Sequence, residues 1–428
     1  MAKTLQKTLL ISICFILFTT YSFAQLINWT NDNISYDPAY AKSVYYSLKN
    51  GTVRSETNAN YDLAFSFSIA DSAAVWSNPF QNTVYNIHKP FSEWANITLA
   101  DTANAKILYN NDQGWYQGAY NDFPSANPFD FGWGIYDNVT HNILGDSIFI
   151  VKSGNTYYKL YLELLNPITA TWTFRVGDFT GNTNTYTLAK STQYADRNFA
   201  YWNLAAAADT NREPANTDWD ILFTRYHTNA PGSGSQPFNR VTGLLTNKGV
   251  KAVKASAIEV DSAYVHSDNY TSAWGASISE IGYDWKVFTG TSYQILDSIS
   301  YFIMDKNSAI YQLQLTDFEG SATGYTEFRK RPVYPVAVHD VNAPISQYDI
   351  FPNPAQQQVN ILLNAKEVKN MTIQMIDMQG RLVLRKNQQT EVGLNAYSIL
   401  ADQIPNGMYQ LMLTIENYTI TKSIVIQK

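Results

Sequence analysis

A side-chain period of two dominates this chain and directs it toward β-structure. Across 157–162, Tyr157, Lys159 and Tyr161 alternate with Tyr158, Leu160 and Leu162. Across 308–316, Ile310, Gln312 and Gln314 alternate with Tyr311, Leu313 and Leu315. Successive side chains of a strand point to opposite faces, so each run buries one face and presents the other. Stretches rich in Gly, Pro, Asn and Ser at 76–95, 110–132, 228–248 and 261–282 separate such runs and read as connections. Lys152-Ser153-Gly154-Asn155 and Asp305-Lys306-Asn307-Ser308 read as matching hairpin turns. Helices are scarce: the alanine run at 205–209 is long enough for one turn only. Aromatic residues, good strand formers, make up 14% of the chain against 15% charged residues.

The N-terminal end reads as a secretory signal over 1–24. Lys3 and Lys7 precede an apolar run over 9–18, and Ser22-Phe23-Ala24 supplies the small residues of a cleavage site before Gln25. The run is shorter than the roughly 20 residues that a spanning helix needs. Cys14, the only cysteine, lies inside that run rather than at a lipid-attachment site, so the exported chain has no thiol for a disulfide, a metal or a nucleophile. Stability must come from burial, for which roughly 400 residues suffice. A net charge of −6 gives no electrostatic footprint for nucleic acid.

Between 25 and 335 the sequence repeats itself. Tyr45-Tyr46-Ser47-Leu48 parallels Tyr201-Trp202-Asn203-Leu204, and Tyr61-Asp62-Leu63-Ala64-Phe65 parallels Trp219-Asp220-Ile221-Leu222-Phe223. Phe149-Ile150-Val151-Lys152 parallels Phe302-Ile303-Met304-Asp305, and Trp172-Thr173-Phe174-Arg175 parallels Thr326-Glu327-Phe328-Arg329 within a longer match. Offsets between 153 and 158 in conserved order mark a duplicated domain rather than a solenoid. The expected organisation is two tandem antiparallel β domains, 25–185 and 190–335, followed by a third over 345–428. The fold class is all-β.

The third domain begins with Phe351-Pro352-Asn353-Pro354 and continues through Asp377-Met378-Gln379-Gly380-Arg381, Asn406-Gly407-Met408-Tyr409 and the terminal Ile424-Val425-Ile426-Gln427-Lys428. Alternating strands between these turn signals predict a small Ig-like β-sandwich. The set resembles the type A C-terminal sorting domain of the type IX secretion system. That resemblance implies the type IX secretion machinery as a partner and passage across the outer membrane. It also implies removal of this domain, with attachment to cell-surface polysaccharide or release.

Each repeat, the second more closely, resembles the HmuY-like haem-binding family. Carrying that resemblance are Tyr201-Trp202, Asp218-Trp219-Asp220-Ile221-Leu222-Phe223-Thr224-Arg225-Tyr226, the loop Thr228-Asn229-Ala230-Pro231-Gly232-Ser233-Gly234, and the late strands Tyr301-Phe302-Ile303 and Tyr311-Gln312-Leu313. The family implies haem held between two histidines, with haem or host haemoproteins as partners. Of His88, His141, His227, His266 and His339, the pair His227 and His266 is the candidate for the haem iron, with Tyr226 and Tyr264 against the ring. A pair of loop histidines with no mutual contact is the plainer reading of the same residues.

Other chemistry is sparse. Asp218 and Asp220 would face one side of a strand as an acid pair, or Asp220 would serve the sheet, as Asp62 at the matching place suggests. No nucleophile elbow, His-Glu-x-x-His or calcium loop is present in the sequence. Trp76, Trp94, Trp115, Tyr116, Tyr120, Trp133, Trp274 and Trp285 fall in or near the long connections, as core fillers or as platforms for a ligand. The expectation is therefore a non-enzymatic, exported, surface-attached or released binding protein, haem-binding or a glycan- or protein-binding adhesin.

Overall fold

The computed structural model describes residues 28–68, 73–122, 127–230, 238–256, 258–333, 344–416 and 418–428. The expected signal segment, most of the Gly-rich loop after Ala230, and His339 lie outside them. Among the described residues the chain is nearly all β, with two short α-helices, Val260–Val265 and Asp268–Thr271. Among the described residues no helix is long and apolar enough to cross a membrane. The chain divides into two compact units at Tyr334/Pro335.

The larger unit holds two β-sandwiches, but they are not arranged in series. One, the inserted sandwich, runs continuously from the strand Leu63–Phe65 to the strand Ala208–Thr210. Its large sheet has the order Thr183–Ala189, Thr171–Gly177, Thr156–Asn166, Ile148–Ser153, Asn82–Lys89, Lys106–Leu108, and its small sheet contains Ala208–Thr210, Ala200–Asn203, Leu63–Phe65 and Val75–Ser77. The other, the host sandwich, is discontinuous. Its small sheet has the order Asn239–Thr246, Ile221–Thr228, Lys42–Ser47, Gly51–Thr57, and its larger sheet Thr30–Ser35, Tyr325–Val333, Ile310–Phe318, Ser300–Met304, Lys251–Ala255.

The boundary expected near 185–190 therefore does not separate packed bodies. The first three strands, between Thr30 and Thr57, complete the second half of the chain, and Ala200–Asn203 completes the first half. The duplication is visible as matched contacts across this exchange. Tyr46 stands opposite Ile221 while its counterpart Trp202 stands opposite Leu63. Asp62 Oδ2 accepts from the Leu204 amide at 2.7 Å, and Asp220 Oδ2 accepts from the Leu48 amide at 2.8 Å. Asn78 Nδ2 donates to the carbonyls of Asn58 and Tyr61, as Asn247 Nδ2 does to those of Asn216 and Trp219.

Period-two alternation explains how the small sheets serve two cores. Leu63, Phe65, Ala200 and Trp202 enter the inserted core with Phe149, Leu160 and Trp172. Val44, Tyr46, Ile221 and Phe223 enter the host core with Tyr301, Leu313 and Phe328. Their neighbours Tyr45, Ala64, Tyr201 and Tyr226 turn to the opposite faces, where they pack together with Trp76, Trp115 and Trp219. The two sandwiches thus abut through the outer faces of their small sheets.

The smaller unit is an Ig-like β-sandwich. A three-stranded sheet, Ile345–Phe351, Gln358–Ala365 and Gly393–Leu400, faces a four-stranded sheet ordered Leu382–Gln389, Asn370–Asp377, Gly407–Ile415, Tyr418–Ile426 over one apolar core. The expected turn forms around Asp377, whose Oδ1 accepts from the Gln379 and Arg381 amides while Oδ2 accepts from Arg381 Nε. Gly380 takes φ +81°, a conformation that suits glycine. Asn353 ties the Pro-Asn-Pro segment to the last strand, donating to the Ser423 carbonyl and accepting from the Val425 amide.

Candidate functional site

The junction of the two sandwiches concentrates the chemistry of the large unit. The equivalent tyrosines Tyr45 and Tyr201 meet there, hydroxyl to hydroxyl at 3.5 Å. Trp76 and Trp115 pack at 5.0 Å between ring centroids, with Phe199 at 6.0 Å from each. A cavity of about 50 Å³ remains, lined by Tyr45, Tyr61, Trp76, Tyr201, Arg212 and Arg225 among others. Trp115 also borders a second, open concavity of about 480 Å³, shared with Tyr116, Lys248 and Trp274. Trp115 Nε1 donates to the Thr246 carbonyl at 2.9 Å, which fixes the indole between the two. Tyr116 is 48% exposed, and the Lys248 ammonium lies 5.5 Å from its ring centroid.

Glu213 is buried beside the cavity. Its carboxylate accepts from the Asn198 and Phe199 amides and from the Tyr201 hydroxyl. Burial nevertheless pushes its pKa up to about 7. The folded protein then holds this proton to a higher pH than the unfolded chain does. Its contribution is complete at pH 4, declines as pH rises from the ordinary glutamate value of 4.5 to about 7, and is gone above that. Urea unfolding should show the wild type losing roughly 3 kcal/mol across this window. Glu213→Gln should remove most of that slope; an unchanged slope would show that the proton resides elsewhere.

The four residues expected to hold haem are not brought together. His227 is not in a loop: it lies within the strand Ile221–Thr228, its ring 4.9 Å from that of Tyr109. Burial, with Arg240 and Arg225 nearby, pushes its pKa down to about 4. Tyr226, the next residue on the strand, points to the opposite face and packs at the junction. His266 is exposed at the C-terminus of the helix Val260–Val265. Tyr264 is engaged elsewhere, its ring over the Arg331 guanidinium at 3.9 Å and its hydroxyl donating to the Pro332 carbonyl. His227 and His266 thus sit in different surroundings, one in a strand against Tyr109 and the other at a helix end.

Most of the tryptophans in the long connections are core residues. Trp133 and Trp285 are fully buried, and Trp76, Trp94 and Trp115 nearly so. Tyr120 is buried as well, whereas Tyr116 is exposed and Trp274 partly so. Asp220 serves the sheet through the Leu48 amide rather than pairing with Asp218, and no cluster of three or more His, Cys, Asp or Glu residues that could hold a metal occurs among the described residues. Arg212 and Glu213 escaped the sequence reading because they sit in a connection with no periodicity. Arg225 is the counterpart of Phe67, a buried core residue, and its guanidinium lies over Tyr40 on the core-facing side of its strand.

No curated protein matches the chain in sequence. Among solved structures, the crystal structure of dimeric latent PorU from Porphyromonas gingivalis is similar at 10% identity with a TM-score of 0.18, over 67% of this chain and 32% of that one. This chain thus spans about a third of that protein's length. At the C-terminal end, residues 349–427 match the family described as the secretion system C-terminal sorting domain. That segment is the sandwich built on Asn353, Asp377 and the terminal strand, so the chain carries a type IX sorting domain and is exported through type IX secretion to the cell surface or released from it.

Proposed function

We propose that the exported unit is a non-catalytic, glycan-binding protein, and that the concavity bordered by Trp115, Tyr116 and Trp274 is its recognition surface. One observation carries this reading. Aromatic residues far apart in sequence converge on an open concavity of about 480 Å³, beside polar groups from Gln113, Asn247 and Ser277. Sugars present apolar C–H faces and hydroxyl edges, and a partly exposed ring flanked by amide and hydroxyl groups matches both. Trp115, held by the Thr246 carbonyl, limits the ordering cost of binding.

The test is a glycan array probed with the exported chain, followed by titration of any glycan retained. Tyr116→Ala and Trp274→Ala should each weaken binding about tenfold, or about 1.4 kcal/mol. Absence of any glycan binding, or binding indifferent to both substitutions, would overturn the proposal. Titration with hemin in parallel is expected to give no saturable Soret shift that depends on His266. A shift abolished by both His227→Ala and His266→Ala would restore haem as the ligand.

A further inference from the structure

Beside the aromatic concavity lies an open hollow of about 350 Å³ with a different chemistry, and Gln113 and Ser277 line both. Carboxylates from both sandwiches meet on it: Asp112 from the inserted one, Glu280 and Asp284 from the host. Among the described residues Lys254 is the one cationic side chain on this lining, 2.8 Å from the Asp284 carboxylate. Two negative charges are therefore left over. Burial raises the Glu280 pKa, with Lys254 opposing the shift and Asp284 adding to it. The Lys286 ammonium, beside Tyr283, is already engaged by the Thr242 and Tyr283 carbonyls, and burial pushes its pKa down to about 7.

Tyr226 distinguishes this hollow from an ordinary acidic surface. The residue is 4% exposed, yet among the described residues its hydroxyl has no hydrogen-bond partner. A nearly buried hydroxyl is normally paired. Tyr226 and Thr228 share the junction face of the strand Ile221–Thr228, and both line the hollow. Gly282 lines it too, and a Cβ at that position would stand 3.5 Å from the Tyr226 hydroxyl. The hydroxyl is thus at the wall of the hollow. Burial first, then Asp112, Tyr283 and Asp284, hold its pKa well above the usual tyrosine range, so three groups of the same lining surround one protonated hydroxyl.

We propose that the hollow takes the protonated amino group of a glycan seated at the aromatic concavity, so that the sugars recognised carry free hexosamine units. An ammonium group has three N–H donors and no acceptor, which suits carboxylate oxygens and the unpartnered Tyr226 oxygen. Its charge is attracted by the surplus carboxylates. N-acetylation removes that charge and adds bulk. This proposal rests on the glycan reading of the neighbouring concavity and names the kind of sugar it takes.

The exported chain is titrated calorimetrically with a chitosan oligosaccharide, which has free amines, and with its fully N-acetylated equivalent. The amine form should bind about tenfold more tightly, and added sodium chloride should erode that preference. Tyr226→Phe breaks no hydrogen bond, so it should melt no lower than the wild type while reducing the preference about threefold. Asp112→Asn combined with Asp284→Asn should abolish most of it. Equal binding of the two oligosaccharides, or a preference unchanged in folded Tyr226→Phe and in the double aspartate variant, would overturn the proposal. If a glycan on the array binds through Tyr116 and Trp274 but the chitosan oligosaccharide does not, the amine proposal falls and the glycan reading stands. Absence of binding to any glycan removes both.

Discussion

Cut out of the chain, residues 58–216 should fold alone, whereas 25–185 and 190–335 should not. The fragment 58–216 keeps every strand of the inserted sandwich, both faces of its core and the Glu213 contacts to Asn198, Phe199 and Tyr201. The fragment 25–185 loses Ala200, Trp202 and Leu204 from that core and leaves Leu63–Phe65 paired only with Val75–Ser77. The fragment 190–335 loses Ile34, Tyr36, Val44, Tyr46 and Leu48 from the host core, and with them the neighbours of Ile221–Thr228 and Tyr325–Val333. Each lost large side chain costs on the order of 2–5 kcal/mol against a total stability of about 5–15 kcal/mol. Near-UV circular dichroism and urea unfolding distinguish the outcomes. A cooperative transition for 25–185, or none for 58–216, would mean that the sandwiches are assembled differently.

The second large effect concerns the two equivalent aspartates. Asp62 is 1% exposed and accepts from the Leu204 amide, Gln81 Nε2 and Ser153 Oγ, so Asp62→Ala strands three donors at once. Each buried unsatisfied donor costs about 1–3 kcal/mol, and a loss of about 4 kcal/mol is expected. Asp220 accepts from the Leu48 amide, and Asp220→Ala should cost about half as much. Urea midpoints with unchanged slopes measure both. Equal losses, or a larger one at Asp220, would contradict this account. Because the two carboxylates hold opposite ends of the strand exchange, the double variant should lose the sum of the two, as distant sites do.

Local structure was legible from the sequence wherever one face of a strand is buried. Leu160 and Leu162 point into one core and Leu313 and Leu315 into the other, as their alternation requires. The turn at Asp377 through Arg381 follows from its residues. What alternation cannot convey is which half a strand joins. Tyr46 and Trp202 are equivalent, both strands read identically, and nothing local distinguishes pairing within a repeat from pairing across repeats. The surroundings of the candidate haem residues were illegible for a related reason. His227 read as a loop residue beside Tyr226, whereas the strand continues to Thr228 and sends the two side chains in opposite directions. The junction, by contrast, draws its residues from both halves, and only the assembled sheets bring Trp115 to Trp274 or Tyr45 to Tyr201.

The placement of Thr30–Ser35 has a mechanical consequence for an exported protein whose sorting domain lies C-terminal to it. The strand Tyr325–Val333 is the last of the large unit, so any pull transmitted from the C-terminal side enters through it. It is hydrogen-bonded on both sides, to Ile310–Phe318 and to Thr30–Ser35. Without the N-terminal strand it would be an edge that could be peeled away one bond at a time. With that strand in place, tension from the tail must break two ladders together, and the beginning of the chain serves as the latch on its end.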